Sequence, residues 1–200
     1  MADEQPIFVK SARISAHLYF ATEVAKRISL TSKNARAITV RAGMQAAGFT
    51  AITDFIEELS KATIASSERI NQIAVNISRI ATDKVRAEIA QRDFNRVRER
   101  GVTAPHLSSI ADAIDTTDKT IRDFNQQFTA LLEQLTSELV ESKRQIRASA
   151  IIVSTSKIEA SQSGDFQRSL EVIAEDLEQA STEIKNQIFK AEKILDEAKA

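Results

Sequence analysis

The chain interrupts its backbone in only four places. Its four glycines and two prolines fall at Pro6, at Gly43 and Gly48, at Gly101 and Pro105, and at Gly164. Average usage over this length would supply about fourteen glycines and ten prolines. Folds built on strands need those residues at their many turns, so the uninterrupted stretches 7–42, 49–100, 106–163 and 165–200 suit only long helices. The fold class expected is all-α.

Hydrophobic periodicity refines this into a long antiparallel up-down-up-down four-helix coiled-coil bundle. From Phe49, Ile52, Ile56, Leu59, Thr63, Ser66, Ile70, Ile73, Ile77 and Ile80 alternate by fours and threes, a coiled-coil seam. After Ile80 the register slips to Val85, Ile89, Phe94 and Val97. A second seam runs Ile110, Ile114, Thr117, Ile121, Phe124, Phe128, Leu131 and Leu135, then steps to Leu139, Ser142, Ile146 and Val153. Phe166, Leu170, Ile173, Leu177, Ala180, Ile184, Ile188, Ala191 and Leu195 form a third, and Ile14, Leu18, Ala21, Ala25, Ile28, Ala35 and Ala42 a weaker one. Short connections make consecutive helices antiparallel neighbours. The expected organisation is a single domain over 1–200, with helices at about 7–42, 49–100, 106–161 and 165–199 and a hairpin tip at 43–48. Thr103 and Pro105 mark the start of the third helix. The two inner helices are longer and are expected to run on together past the outer two, the longest reaching roughly 75–85 Å.

The composition excludes several functions. Twenty-seven basic and 28 acidic residues are interspersed, with a formal net charge of -1, which argues against nucleic acid as a partner. The N-terminal Met1-Ala2-Asp3-Glu4-Gln5-Pro6 lacks the basic and apolar regions of a secretory signal, and no stretch approaches the roughly 20 apolar residues of a membrane span. No membrane insertion and a cytoplasmic location are therefore expected. Without cysteine, disulfide, zinc-thiolate and thiol-nucleophile chemistries are absent together. His17 and His106 are the two histidines, and neither completes a Glu-x-x-His metal pair. No cofactor, no metal and no catalytic activity are expected. The arginines at 92, 96, 98 and 100 lie among Asp93 and Glu99 and suit a helix C-terminus.

One segment is more specific than a generic coiled coil. Arg41-Ala42-Gly43-Met44-Gln45-Ala46-Ala47-Gly48-Phe49, with Asn34-Ala35 upstream and Ile56 and Leu59 downstream, resembles the hairpin tip of methyl-accepting chemotaxis receptors. That tip reads Asn-Ala, then Glu-Ala-Ala-Arg-Ala-Gly-Glu-x-Gly-x-Gly-Phe, then Val and Leu at fixed spacing. Ser66-Ser67-Glu68-Arg69-Ile70 stands where the family has a small-small-Lys-Glu-Ile-like run. The resemblance spans roughly residues 28–80.

The resemblance implies a signalling or adaptor protein that docks partners at its tip and packs receptor with receptor. It points to a chemotaxis histidine kinase, its adaptor or other receptors as partners, to a homodimer, and to Asn34, Arg41, Met44, Gln45 and Phe49 as the docking residues. Several family positions are altered. Met44 replaces an acidic residue, Ala46 a glycine, Ala47 an arginine, Ile38 a glutamate and Lys26 an aromatic. Glu133 and Gln134, within Thr129-Ala130-Leu131-Leu132-Glu133-Gln134-Leu135-Thr136-Ser137-Glu138, are the nearest match to a family methylation site, meeting its pattern except at the last position. The second half also echoes the first. Ala150-Ile151-Ile152-Val153 matches Ala37-Ile38-Thr39-Val40, Phe166 matches Phe49, and Asn186 matches Asn71, at offsets of 113, 117 and 115. The alternative from another class is a structural or effector coiled-coil bundle, with its partner surface near Arg92 to Arg100.

Overall fold

The computed structural model describes residues 7–100 and 110–199. Among them there is no strand. Four helices, α1 (Ile7–Ala42), α2 (Ala47–Arg100), α3 (Ala111–Ser161) and α4 (Gln167–Lys199), are joined at one end by 3₁₀ turns over Gly43–Ala46 and Gly164–Phe166. The chain is all-α. α2 begins two residues ahead of the expected 49, taking Gly48 into the helix, and α4 begins after a turn that occupies 164–166. The expected helix start at Thr103 and Pro105 lies outside the described residues, as do Gly101 and His106.

α1 packs against α2 and α4, and α3 packs against the same two helices. Contacts across each seam run in opposite directions along the two helices. Ser11 faces Ser78 while Ser32 donates to the Thr53 carbonyl at 2.8 Å. Lys10 reaches the Glu197 carbonyl, and Arg27 pairs with Glu183 at 2.6 Å. Lys143 pairs with Glu192 and Lys157 with Glu178, both at 2.7 Å. Burial follows the apolar period: Ile14, Leu18 and Ile28 from α1, Phe49, Ile56, Ile70 and Ile77 from α2, Leu135 and Leu139 from α3, and Leu170, Leu177 and Ile184 from α4 form one core.

Many core positions carry hydroxyls instead of hydrocarbon. They are satisfied mainly within their own helix, Ser60 on the Ile56 carbonyl and Thr63 on that of Leu59, both at 2.8 Å. Between α2 and α3, Ser66 and Ser142 lie 2.7 Å apart, and Arg69 clasps Glu138 through two hydrogen bonds of 2.8 and 2.9 Å. Glu138 keeps the Arg69 guanidinium above its ordinary pKa. Ser181 Oγ is buried without a hydrogen-bond partner among the described residues. Stranding a buried hydroxyl costs about 1–3 kcal/mol. Ser181→Ala is therefore expected to raise stability by about 1 kcal/mol in urea unfolding, and no gain would mean that the hydroxyl is solvated.

The packed cross-section does not extend along the whole of α2 and α3. Beyond Ala81 no residue of α2 is buried, and before Leu135 the buried residue of α3 is Ile114. Phe94, Ile121, Phe124, Phe128 and Leu131 are half-buried there, because each helix has a single neighbour among the described residues. The resulting two-helix extension, residues 82–100 of α2 with the facing part of α3, is about 30 Å long at 1.5 Å per residue.

The two hairpins, α1 with α2 and α3 with α4, correspond residue by residue without a gap. Gly43 and Gly164, 121 positions apart, take the same left-handed conformation with φ of 55° and 54°. At that one offset Leu18 matches Leu139, Phe49 matches Leu170, Ile52 matches Ile173, Ile56 matches Leu177 and Ile73 matches Ile194, every one of them buried. The matches at offsets 113, 117 and 115 are corrected by this geometry. Val40 is exposed where Val153 is buried, and the counterpart of Phe49 is Leu170, not Phe166. Outside a few positions such as Leu18, Gly43, Ile52 and Ile73, equivalent positions share burial without sharing identity, which is why matching letters misplaced the repeat.

Candidate docking site at the hairpin tips

The first tip is built by a helix that must stop and restart within four residues. Gly43 makes the reversal: it follows Ala42, the last helical residue, in the left-handed region where a side chain clashes with the following carbonyl. The single 3₁₀ turn Gly43–Ala46 then feeds directly into α2. Ala42 and Ala46 are buried, small enough to let the two helix ends approach, and Phe49 fills the space beneath them with no exposed surface. Arg41 lies in the last turn of α1, where a cation complements the helix dipole.

The second tip is assembled differently from the same backbone. Ser163 is buried and donates its hydroxyl to the Glu159 carbonyl at 2.7 Å, closing α3. Gly164 reverses the chain, and the Phe166 amide returns to the Ser163 carbonyl at 3.1 Å. The two turns touch. Gln45 of the first rests against Gly164 of the second, its Oε1 3.4 Å from where a Cβ would stand. Gly48 faces the Glu159 carboxylate of α3 more closely still, so that a side chain there would require Glu159 to move.

The residues expected to dock a partner separate into three positions. Arg41, Met44 and Gln45 are exposed on the turn, with Met44 at the apex and 90% exposed. Asn34 is exposed on α1, seven to eleven residues back, or about 10–16 Å down the helix. Phe49 is fully buried and supports the turn from below. Sequence reasoning missed Val40, 77% exposed beside Arg41, and took the break at Gly164 as a plain connection between helices and not as a second tip, where Asp165 and Arg168 are exposed.

Charge around the tip is mixed and solvated. Arg36 and Asp54 pair across α1 and α2. Glu57 is held below the ordinary carboxylate range by the hydrogen bond from Lys61, at 2.7 Å. Arg41 makes no ion pair among the described residues. Its guanidinium and the thioether of Met44 present adjacent cationic and apolar groups to whatever meets the tip.

Glu133 and Gln134 are exposed on α3, about 40 Å from the tip. Gln134 lines an open groove between α2 and α3, together with Arg79, Asp83 and Gln127. His17 is half-buried between α1 and α4, its Nδ1 2.8 Å from Gln187 Oε1. Among the described residues no cluster of acidic and histidine side chains is placed to hold a metal ion, and no helix is long and apolar enough to cross a membrane.

Comparison with known proteins finds a distant likeness. Over 160 residues, 80% of this chain, the sequence is 25% identical to the methyl-accepting chemotaxis protein CtpH of Pseudomonas aeruginosa. The chain spans 28% of that relative's length. No protein-family model matches the chain, and no solved structure matches it.

Proposed function

We propose that the chain is a single-chain antiparallel four-helix coiled-coil bundle acting as a chemoreceptor-like cytoplasmic signalling or adaptor protein, which works by docking partners at its tip and not by catalysis. The observation that supports this best is the exposure of Arg41, Met44 and Gln45 around the left-handed Gly43, on the segment that resembles a receptor tip. The distant likeness to a chemotaxis receptor points the same way. The second hairpin occupies the place that a second receptor-like chain would take, so one chain completes the cross-section. Its tip carries Asp165 and Arg168 in place of Met44 and Ala47, so the two tips offer different chemistry and a partner that needs the Arg41 surface meets one copy per molecule. Partners of this class are a chemotaxis histidine kinase, its adaptor, or receptor tips.

The test is calorimetric titration with the kinase and adaptor of the same organism. Wild type is expected to bind one of them, Arg41→Ala at least about tenfold more weakly, and Met44→Asp more tightly, because it restores an acidic side chain at the apex. Failure of both proteins to bind would end the chemotaxis reading. The alternative, a structural or effector coiled coil, draws support from the unpaired extension of α2 and α3.

A further inference from the structure

α2 turns one line of residues toward α1. Thr53 receives the hydrogen bond of Ser32, Ser67 donates to the Leu18 carbonyl, and Ser78 faces Ser11. At 100° per residue that line continues through Val85, Ile89, Arg92, Arg96 and Arg100. Ser11 lies opposite Ser78, so Ile7, where the described part of α1 begins, is level with about residue 82. The continuation therefore runs past it. Val85 is 51% and Ile89 45% exposed, and neither Arg92 nor Arg100 forms an ion pair among the described residues. Arg96 has a loose contact with Asp93, at 3.4 Å. The strip is apolar at its root and cationic over its outer half.

We infer that this strip is a second docking face, independent of the tip, for an acidic amphipathic helix of a partner protein lying in the track that α1 follows lower down. A second copy of this chain fits the strip badly. Laid antiparallel, as helices here pack, two strips would set the arginines of each over Val85 and Ile89 of the other. Laid parallel, they would match the apolar ends and oppose the arginine rows. A helix antiparallel to α2 with carboxylates in its N-terminal half and leucines in its C-terminal half satisfies both ends of the strip. Its own dipole favours that placement of the acidic residues, and helix-in-track recognition uses side chains at this spacing.

The experiment uses the full chain and a synthetic peptide of that design, with a control peptide in which lysine replaces each glutamate. The acidic peptide is expected to bind at least about tenfold more tightly than the lysine peptide, and to weaken severalfold as salt rises from about 0.05 to 0.5 M. Arg92→Glu with Arg96→Glu and Arg100→Glu should invert the preference. Ile89→Asp should lower acidic-peptide affinity about tenfold without lowering the melting temperature, since Ile89 is already exposed. Equal binding of the two peptides, no binding of either, or indifference to the Ile89 and arginine variants would overturn the inference. So would a concentration-dependent dimer relieved by Ile89→Asp, or photo-cross-links from position 89 to residues 1–6 of the same chain.

Discussion

Phe49→Ala is expected to destabilise the protein by about 3–5 kcal/mol, the range for deleting a buried aromatic ring. Phe49 has no exposed surface, it is the largest of the fully buried side chains, and it lies in the first turns of α2 directly after the 3₁₀ turn. The residues around it make the cavity hard to collapse. Ala42 and Ala46, in the same core at this end of the bundle, have side chains too short to reach in and fill the space. Urea unfolding followed by circular dichroism measures the loss. Phe49→Leu, which matches the equivalent Leu170 in the second hairpin, should recover more than half of it. A loss below about 1 kcal/mol for Phe49→Ala would show that the tip is not packed as described. If the ring is a plug and makes no partner contact, Phe49→Leu leaves tip docking intact.

The second large effect contrasts three glycines. Gly43→Ala and Gly164→Ala are each expected to cost about 1–2 kcal/mol, because φ near 55° drives a Cβ toward the next carbonyl. Open space around Gly43 does not relieve this, since the clash is with its own backbone. Gly48→Ala should be neutral or stabilising by up to about 1 kcal/mol. Gly48 lies within α2 at ordinary helical angles, and the group its Cβ would meet is the free end of the Glu159 side chain, which can swing away. Equal effects at all three positions in thermal unfolding would remove the left-handed turns from the account.

Much of the architecture was legible because a coiled-coil seam writes its burial into its spacing. Ile52, Ile56, Leu59, Ile70, Ile73 and Ile77 are buried as their alternation required, and even Thr63 and Ser66 hold the core positions that the period assigned to them. The slip after Ile80 coincides with the level at which the described part of α1 begins and Val85 and Ile89 become exposed. Spacing alone could not report that Ile121, Phe124 and Phe128 would be half-buried, because a heptad pattern counts apolar faces and not the neighbours available to cover them. The tip was legible in part. Gly43 located the turn and the seam placed Phe49 at its head, but the identities at the true offset, such as Leu18 with Leu139 and Ile52 with Ile173, are too few to have set the register of the second hairpin.

The contact of α1 with α4 has a kinetic meaning. α1 and α2 meet across a turn of four residues, and so nearly do α3 and α4, so each hairpin can zip from its own turn. Arg27 and Glu183 are 156 residues apart, His17 and Gln187 are 170, and Lys10 and Glu197 are 187. Contacts of such separation form only after nearly the whole chain has been gathered, and their loop-closure entropy is met by the hairpins folding first. The α1–α4 seam is therefore expected to close last. Opening there would swing the two hairpins about the α2–α3 seam, with Arg69 and Glu138 at the hinge, and would bring the buried serines and alanines of four helices to the surface in a single motion.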